Sequence, residues 1–314
     1  MNTKSVLVIG ELNVDILLND IRGFPVIGQE ILAEKMALTL GSSSAIFAAN
    51  LSSLGIATSF CGIVGRDFFG KFVIDALCKK DIDTTFIIQS DVYQTGVTII
   101  LNYEQDRANV TYCGAMDHLS INDIPLHELS RFSHLHVSSY FLQKGLQKDI
   151  VSLFKAAHEN GLSTSLDIQW DPANEWNFPY RECLPYVDFF LPNEAEILAL
   201  TDTGHLNDAL RELEAFANLI VVKRGMNGAV AFQKGHYINA APYRHSYFID
   251  AIGAGDSFNA GFISSYLQGT SLQESLSFGN LAGAINTTAA GGTGAFSDRH
   301  SFAKTAKTIF NIEI

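Results

Sequence analysis

The sequence predicts an α/β fold, a doubly wound and mainly parallel sheet flanked by helices, with a small β-sheet set against it. Short apolar runs recur at 6–9, 58–61, 134–137, 163–166, 189–191, 219–222 and 229–232, bounded by turn residues and separated by helical patterns. Runs without polar alternation suit strands covered on both faces, the state of a parallel sheet between two helix layers. Residues 95–113 break that rhythm, reading as two strands around the polar turn Glu104-Gln105-Asp106-Arg107, and 12–18 and 30–40 are also strand-like. These pieces divide the chain into a core of 1–11, 41–94 and 114–314 and a small β lid of 12–40 and 95–113. With 314 residues, 47% of them apolar, one large domain is filled and no second one fits.

The elements follow in order. The first strand, Val6–Ile9, is cut short by Glu11, Asn13 and Asp15, so neither a membrane span nor a signal peptide is expected. A helix over Ala45–Leu54 follows three serines able to cap it and stops at Gly55; another, from Asp149 to about Glu159, stops at Asn160-Gly161. Between them, Gly65–Lys71 has the spacing of a phosphate-binding P-loop, but Phe72 stands where a magnesium-binding hydroxyl belongs, so that reading fails. No G-x-G-x-x-G follows the first strand, which removes a dinucleotide fingerprint. His134 and His136 share one strand face without a third ligand nearby and read as core histidines. Asp167 and Asp171 flank Trp170 beyond a strand end, as groups near a site rim or as turn formers.

Composition narrows the partners. A formal charge of −12 repels nucleic-acid backbones and anionic lipid, so neither is expected as a partner. Four scattered cysteines give no zinc spacing and no disulfide framework, which suits a reducing cytoplasm.

The chemistry concentrates in Asp250-Ala251-Ile252-Gly253-Ala254-Gly255-Asp256, followed by a helical stretch Ser257–Leu267. Gly253 and Gly255 can take backbone angles that gather N–H groups into one concavity, and the helix dipole adds positive potential there. Such a cradle stabilises the charge of a transferring phosphoryl group. Asp256 at its edge can accept the proton of an attacking hydroxyl, or it can be a plain N-cap.

This heptapeptide resembles the D-T-x-G-A-G-D motif of the ribokinase-like (PfkB) carbohydrate kinases, with Ala251 in place of the usual Thr. Further segments match in the same order from about residue 6 to 296. The resemblance implies transfer from ATP to a hydroxyl of a sugar or sugar-like molecule, with Asp256 as base and Gly253, Ala254 and Gly255 as anion hole. It also implies that Asn13 and Asp15, in Gly10–Asp15, reach substrate hydroxyls. Gly41 and Ser42 correspond to a paired-glycine substrate motif, where Ser42 replaces the second glycine and Ile46 replaces a sugar-binding Asn of many members. That exchange leaves the reaction class in place and changes the expected substrate.

On the nucleotide side, Asn193 and Glu196 match the family's N-x-x-E motif, with Glu196 holding a water of the Mg²⁺ shell. Lys223, Gly225 and Gly228 resemble a strand and turn beside ATP, and Asn280 with the loop Gly291–Ala295 resembles the adenine side. Some relatives hold K⁺ or Na⁺ near carbonyls equivalent to those of Asp250 and Ile252. Several pair as dimers through the lid, and the alternation of Val97, Ile99, Leu101 and Tyr103 leads to the same expectation here.

Overall fold

Strand formation follows the apolar runs. In chain order the strands of the computed structural model are β1 Ser5–Ile9, β2 Asn13–Ile21, β3 Ala33–Leu40, β4 Ala57–Gly65, β5 Asp83–Ser90, β6 Gly96–Tyr103, β7 Asp106–Tyr112, β8 His134–Ser138, β9 Ser163–Asp167, β10 Phe189–Phe190, β11 Ile220–Lys223, β12 Ala229–Gln233 and β13 His236–Ala240. The helices are α1 Ser43–Ser53, α2 Phe68–Cys78, α3 Lys144–Gln147, α4 Ile150–Glu159, α5 Tyr180–Cys183, α6 Glu194–Thr201, α7 Leu206–Leu213, α8 Ala254–Leu267, α9 Leu272–Asn286 and α10 Arg299–Phe310. The structure describes residues 4–103 and 106–314; Glu104 and Gln105 of the expected hairpin turn lie outside the described residues.

Nine strands form one sheet in the order β13-β12-β11-β10-β9-β8-β1-β4-β5, parallel from β11 through β5. One expectation is corrected here. Strand β12 runs antiparallel to β11, because the short link 224–228 can turn back but cannot make the crossover that a parallel neighbour requires.

Alternating side chains send Val6 and Val8 to one face, with Phe60, Val221 and Phe262, and Leu7 and Ile9 to the other, with Leu135, Val137 and Leu166. Helices α1 and α8 cover the first face and α4, α6 and α7 the second. Helices α8 and α9 lie so close that a Cβ on Gly261 would stand 2.6 Å from that of Ala282. The strand histidines are satisfied core residues: His134 contacts Ser163 and Ser165, and His136 contacts Ser165 and Ser138, all at 2.7 Å. Burial pushes His134 down to about 3, which keeps it neutral. Among the described residues no group of three His, Cys, Asp or Glu could hold a metal, and no helix is long and apolar enough to cross a membrane.

The second sheet has four strands in the order β3-β2-β6-β7. Its central pair is parallel, with Asp15 opposite Thr98 and Leu17 opposite Ile100. Leu17 and Ile100 pack on Ile252, which ties this sheet to the segment before α8. The alternate residues of the same strands point away, and Met36, Ile99, Val110 and Tyr112 are exposed there.

Candidate active site

A cavity of about 900 Å³ opens between the two sheets, beyond the carboxyl ends of β1, β8, β9 and β11. Strand ends in a parallel sheet deliver side chains to one edge, which is where ligands of open α/β folds bind. Here they deliver Glu11, Ser139, Gln169 and Lys223, while the N-terminal ends of α1 and α8 supply Ser43, Ile46, Gly255 and Asp256.

Helix α8 starts three residues earlier than the sequence suggests. Its N-cap is Gly253, in the left-handed region at φ +72°, so Asp256 is the third helical residue and not a cap. A Cβ on Gly253 would also stand 2.6 Å from Cα of Gly292 and 3.0 Å from Ile46 Cγ2. Gly255 differs from expectation: its φ is not positive, and a Cβ there would meet nothing nearer than Lys223 Nζ at 3.7 Å. What the glycine keeps open is cavity space beside the first-turn N–H groups of Gly255 and Asp256, which have no intrahelical acceptors, while that of Ala254 donates back to the Ala251 carbonyl at 3.3 Å. An anion fits that space and the dipole behind it.

Beneath this cradle lies a buried charge cluster. Lys223 Nζ pairs with Asp167 Oδ2, which also accepts Asn259 Nδ2 at 2.6 Å and Gln169 Nε2 at 3.3 Å. Asp167 is fully buried beneath the cavity and does not line it, so its placement at the rim is corrected; Asp171, in contrast, forms a turn by accepting N–H groups of Ala173, Glu175 and Trp176. Burial, then the Asp167 charge, holds the Asp256 carboxyl well above the usual carboxylate range, with Lys223 opposing. Burial pushes Glu196 up to about 7, with Asp167 adding to the rise and Lys223 opposing it. For Lys223 burial pulls the other way, but Asp167 and Glu196 outweigh it and keep the ammonium charged.

Asn193 and Glu196 form a reciprocal cap of α6: Asn193 N donates to Glu196 Oε2 at 2.8 Å and Glu196 N to Asn193 Oδ1 at 2.9 Å. Both still line the cavity. Gly225 and Gly228 have φ of +51° and +79°, and a Cβ on Gly228 would stand 2.1 Å from the Ala240 carbonyl, so the turn after Lys223 needs glycine there. Arg224 pairs with Glu194. Asn280 Nδ2 donates to the carbonyls of Ala240 and Ala241, fixing the loop that carries Pro242, Tyr243 and Phe248 along the cavity. Asp250 accepts the N–H groups of Ile252 and Gly291, and the Ile252 carbonyl accepts Asn286 Nδ2 at 2.6 Å.

On the opposite wall, Asn13 Nδ2 donates to Asp15 Oδ1 at 3.1 Å and Thr98 Oγ1 at 3.0 Å. Burial pushes Asp15 up to about 6, with Asn13 and Arg107 acting in the other direction. Gly41 must be glycine, since its Cβ would lie 2.3 Å from Asp15 Oδ1. Ser42 keeps a left-handed φ of +70° without being glycine; its hydroxyl donates to the Glu11 carbonyl and accepts Ala45 N–H, capping α1. Ile46 is wedged against Gly253 and Gly292. Asn50, one turn on, donates to Ser257 Oγ and the Gly292 carbonyl and stays out of the cavity. Glu11, Thr98, Asn109 and Gln169 were not singled out in the sequence. Only Glu11 carried a cue, as a charge directly after a buried strand.

Comparison with known proteins identifies the family and the fold. The model of the pfkB family of carbohydrate kinases matches residues 3–299. A sugar kinase of Archaeoglobus fulgidus, itself uncharacterized, is 27% identical over 234 residues, covering 74% of this chain and 92% of the relative. Ribokinase of Haemophilus influenzae is 26% identical over 299 residues, covering 92% and 94%. Arabidopsis thaliana ribokinase, solved with ribose and ATP, superposes with a TM-score of 0.83 at 24% identity, over 98% of this chain and 99% of that one. The nucleoside kinase of Methanocaldococcus jannaschii gives 0.81 at 20% identity, over 98% and 99%. The fold is therefore ribokinase-like.

Proposed function

The chain belongs to the pfkB family of carbohydrate kinases and is a phosphotransferase with an alcohol acceptor, and from that premise we propose that it transfers the γ-phosphoryl group of ATP to a hydroxyl of a sugar or sugar-like molecule. The observation that carries the reading is the pairing of Asp256, buried on the cavity floor, with the open N-terminal turn of α8 beside it. The acceptor hydroxyl gives its proton to Asp256 as its oxygen bonds to the γ-phosphorus; the bond from phosphorus to the bridging oxygen breaks and ADP leaves. Gly253, Ala254 and Gly255 form the anion hole. Asn13, Asp15, Gly41 and Ser42 frame the acceptor, with Ile46 as an apolar wall. The small sheet acts as a lid over it, excluding water that would compete for the phosphoryl group.

Asn193, Lys223, Gly225, Gly228 and Asn280 frame the nucleotide. Glu196 and Asn193 would hold Mg²⁺ through water: one carboxylate oxygen of Glu196 is spent on the Asn193 N–H, leaving the other for a hydrated cation. That ion would neutralise phosphate charge. A K⁺ or Na⁺ ion beside the Asp250 and Ile252 carbonyls would share the Ile252 oxygen with Asn286. The unpaired state of all four cysteines suits a cytoplasmic setting. The exposed apolar side of the lid supports a homodimer through that surface.

A nucleoside or sugar acid is the second reading, favoured by the apolar Ile46, Met116, Leu142 and Trp170 along the acceptor end and by Arg107 on the lid. A sugar sensor without chemistry has no use for the buried base. Release of ADP measured across sugars, sugar acids and nucleosides separates these: turnover names the acceptor class, and binding without turnover by any of them would sink the kinase reading.

A further inference from the structure

The segment after β9 is bent in an unusual way. Gln169, Asn174 and Trp176 all lie in the left-handed region, at φ +60°, +55° and +55°. None is glycine, and such backbone persists where surrounding structure enforces it, often at functional sites. Asp171 enforces the later part by accepting three backbone N–H groups. At the start, Gln169 N lies 3.3 Å from Asp167 Oδ1.

The bend aims the Gln169 carboxamide between two carboxylates. Its Nε2 is 3.1 Å from Asp256 Oδ1 and 3.3 Å from Asp167 Oδ2. A primary amide has two hydrogens, one for each acid. Asp167 is already bound by Lys223 and Asn259, so the amide ties Asp256 to an oxygen that cannot move. The charged groups facing Asp256 are Asp167 on β9, Lys223 on β11, Glu196 on α6 and Glu11 after β1. Three of the four are acids that repel its anion, and the neutral amide attracts it without adding charge.

We propose that Gln169 is a positioning residue for the reaction: it clamps Oδ1 of Asp256 and leaves Oδ2 turned to the acceptor hydroxyl. The inference rests on Asp256 being the base. A carboxylate released from the clamp rotates about its last torsion, and small misplacements of a reacting group are costly in rate.

The test is a double-mutant cycle on the full chain with the acceptor found by ADP release. Gln169→Met keeps length and removes both donors; Gln169→Glu keeps shape and replaces the donors with a fifth charge. Gln169→Met is expected to lower kcat by roughly 10- to 100-fold with little change in KM for acceptor or ATP. Gln169→Glu is expected to lose more. In an Asp256→Asn background, adding Gln169→Met should cost almost nothing further, because the amide acts through that carboxylate. Wild-type kcat in Gln169→Met or Gln169→Glu overturns the inference while leaving Asp256 as base. An equal fold-loss in both backgrounds overturns it too, since the effect would then bypass Asp256. Full activity of Asp256→Asn alone removes the base reading itself. Thermal melting of each variant separates a fall in folded protein from a fall in kcat.

Discussion

Burial among other acids raises the cost of a carboxylate's charge. For Asp256, burial and then the Asp167 charge both raise the pKa, with Lys223 opposing. A general base works in its ionised form, so kcat/KM should rise with pH through a limb lying above the ordinary range of an aspartate. A limb at the usual carboxylate position would mean a different base. Asp256→Asn should lose roughly 10²- to 10⁴-fold in turnover while melting no lower than the parent at neutral pH, because it removes a charge the fold disfavours; near-parental kcat would refute the role. Asp15 allows the sign to be worked through. Its pKa rises from 3.8 to about 6 on folding, mainly by burial. The fold thus prefers the protonated form, and the stability it gains is complete below the unfolded pKa and lost as pH climbs through about 6. Asp15→Asn should therefore raise the melting temperature near neutral pH and lose that advantage at about pH 4. A gain of equal size at both values would show that the Asp15 charge is not responsible.

At the scale of elements, what the sequence disclosed depended on how local the determinant is. The start of α8 was legible because Gly253, Gly255 and Asp256 sit within four positions of one another, although the cap fell on Gly253 and not on Asp256. Helices α1 and α4 were legible from their serines and Gly55, and from Asn160-Gly161. Strands β5 and β13 escaped notice: both are half exposed at the sheet's edges, so neither presents a continuous apolar run. Gln169 was illegible for a different reason. Its partner Asp256 lies 87 positions away, and the left-handed turn that joins them has no glycine to announce it. Helix α1 carries a prediction about specificity. Ile46 lines the cavity yet is wedged against Gly253 and Gly292, so no polar group at that position meets the acceptor. A hydroxyl facing it would be desolvated without a partner. Acceptors with a deoxy or apolar edge there should have the higher kcat/KM, and ribose should be poor. Ile46→Asn should shift the ratio toward the hydroxylated acceptor by about tenfold or more. Ribose as the best substrate of the parent, or unchanged ratios in the variant, would remove residue 46 from specificity.

For the molecule as a whole, the four-stranded sheet raises a question of balance. Its inner side is used: Asp15 and Thr98 face the cavity, and Leu17 and Ile100 pack on Ile252. Its outer side carries the alternate set, in which Ile16 lies opposite Ile99 and Leu38, and Ile99 opposite Val110. Met36 and Val110 are 70% and 64% exposed, which for apolar side chains in regular strands is a cost that water imposes on a single copy. Strands β3 and β7 also end the sheet with open edges. A two-fold pairing of this face with the same face of a second copy would bury both sets at once, since an isologous contact needs only self-complementarity. In such a dimer the consequence would reach the active site, because the small sheet proposed as a lid would move as part of a paired sheet and its hold on the acceptor would depend on assembly. Ile99→Glu with Val110→Lys places charges on the outer face while leaving Thr98 and Ile100 on the inner one. Sedimentation should show a dimer for the parent at micromolar protein and a monomer for the variant, with KM for the acceptor raised more than KM for ATP. A parent that is strictly monomeric at that concentration would show that the outer face has another use or none.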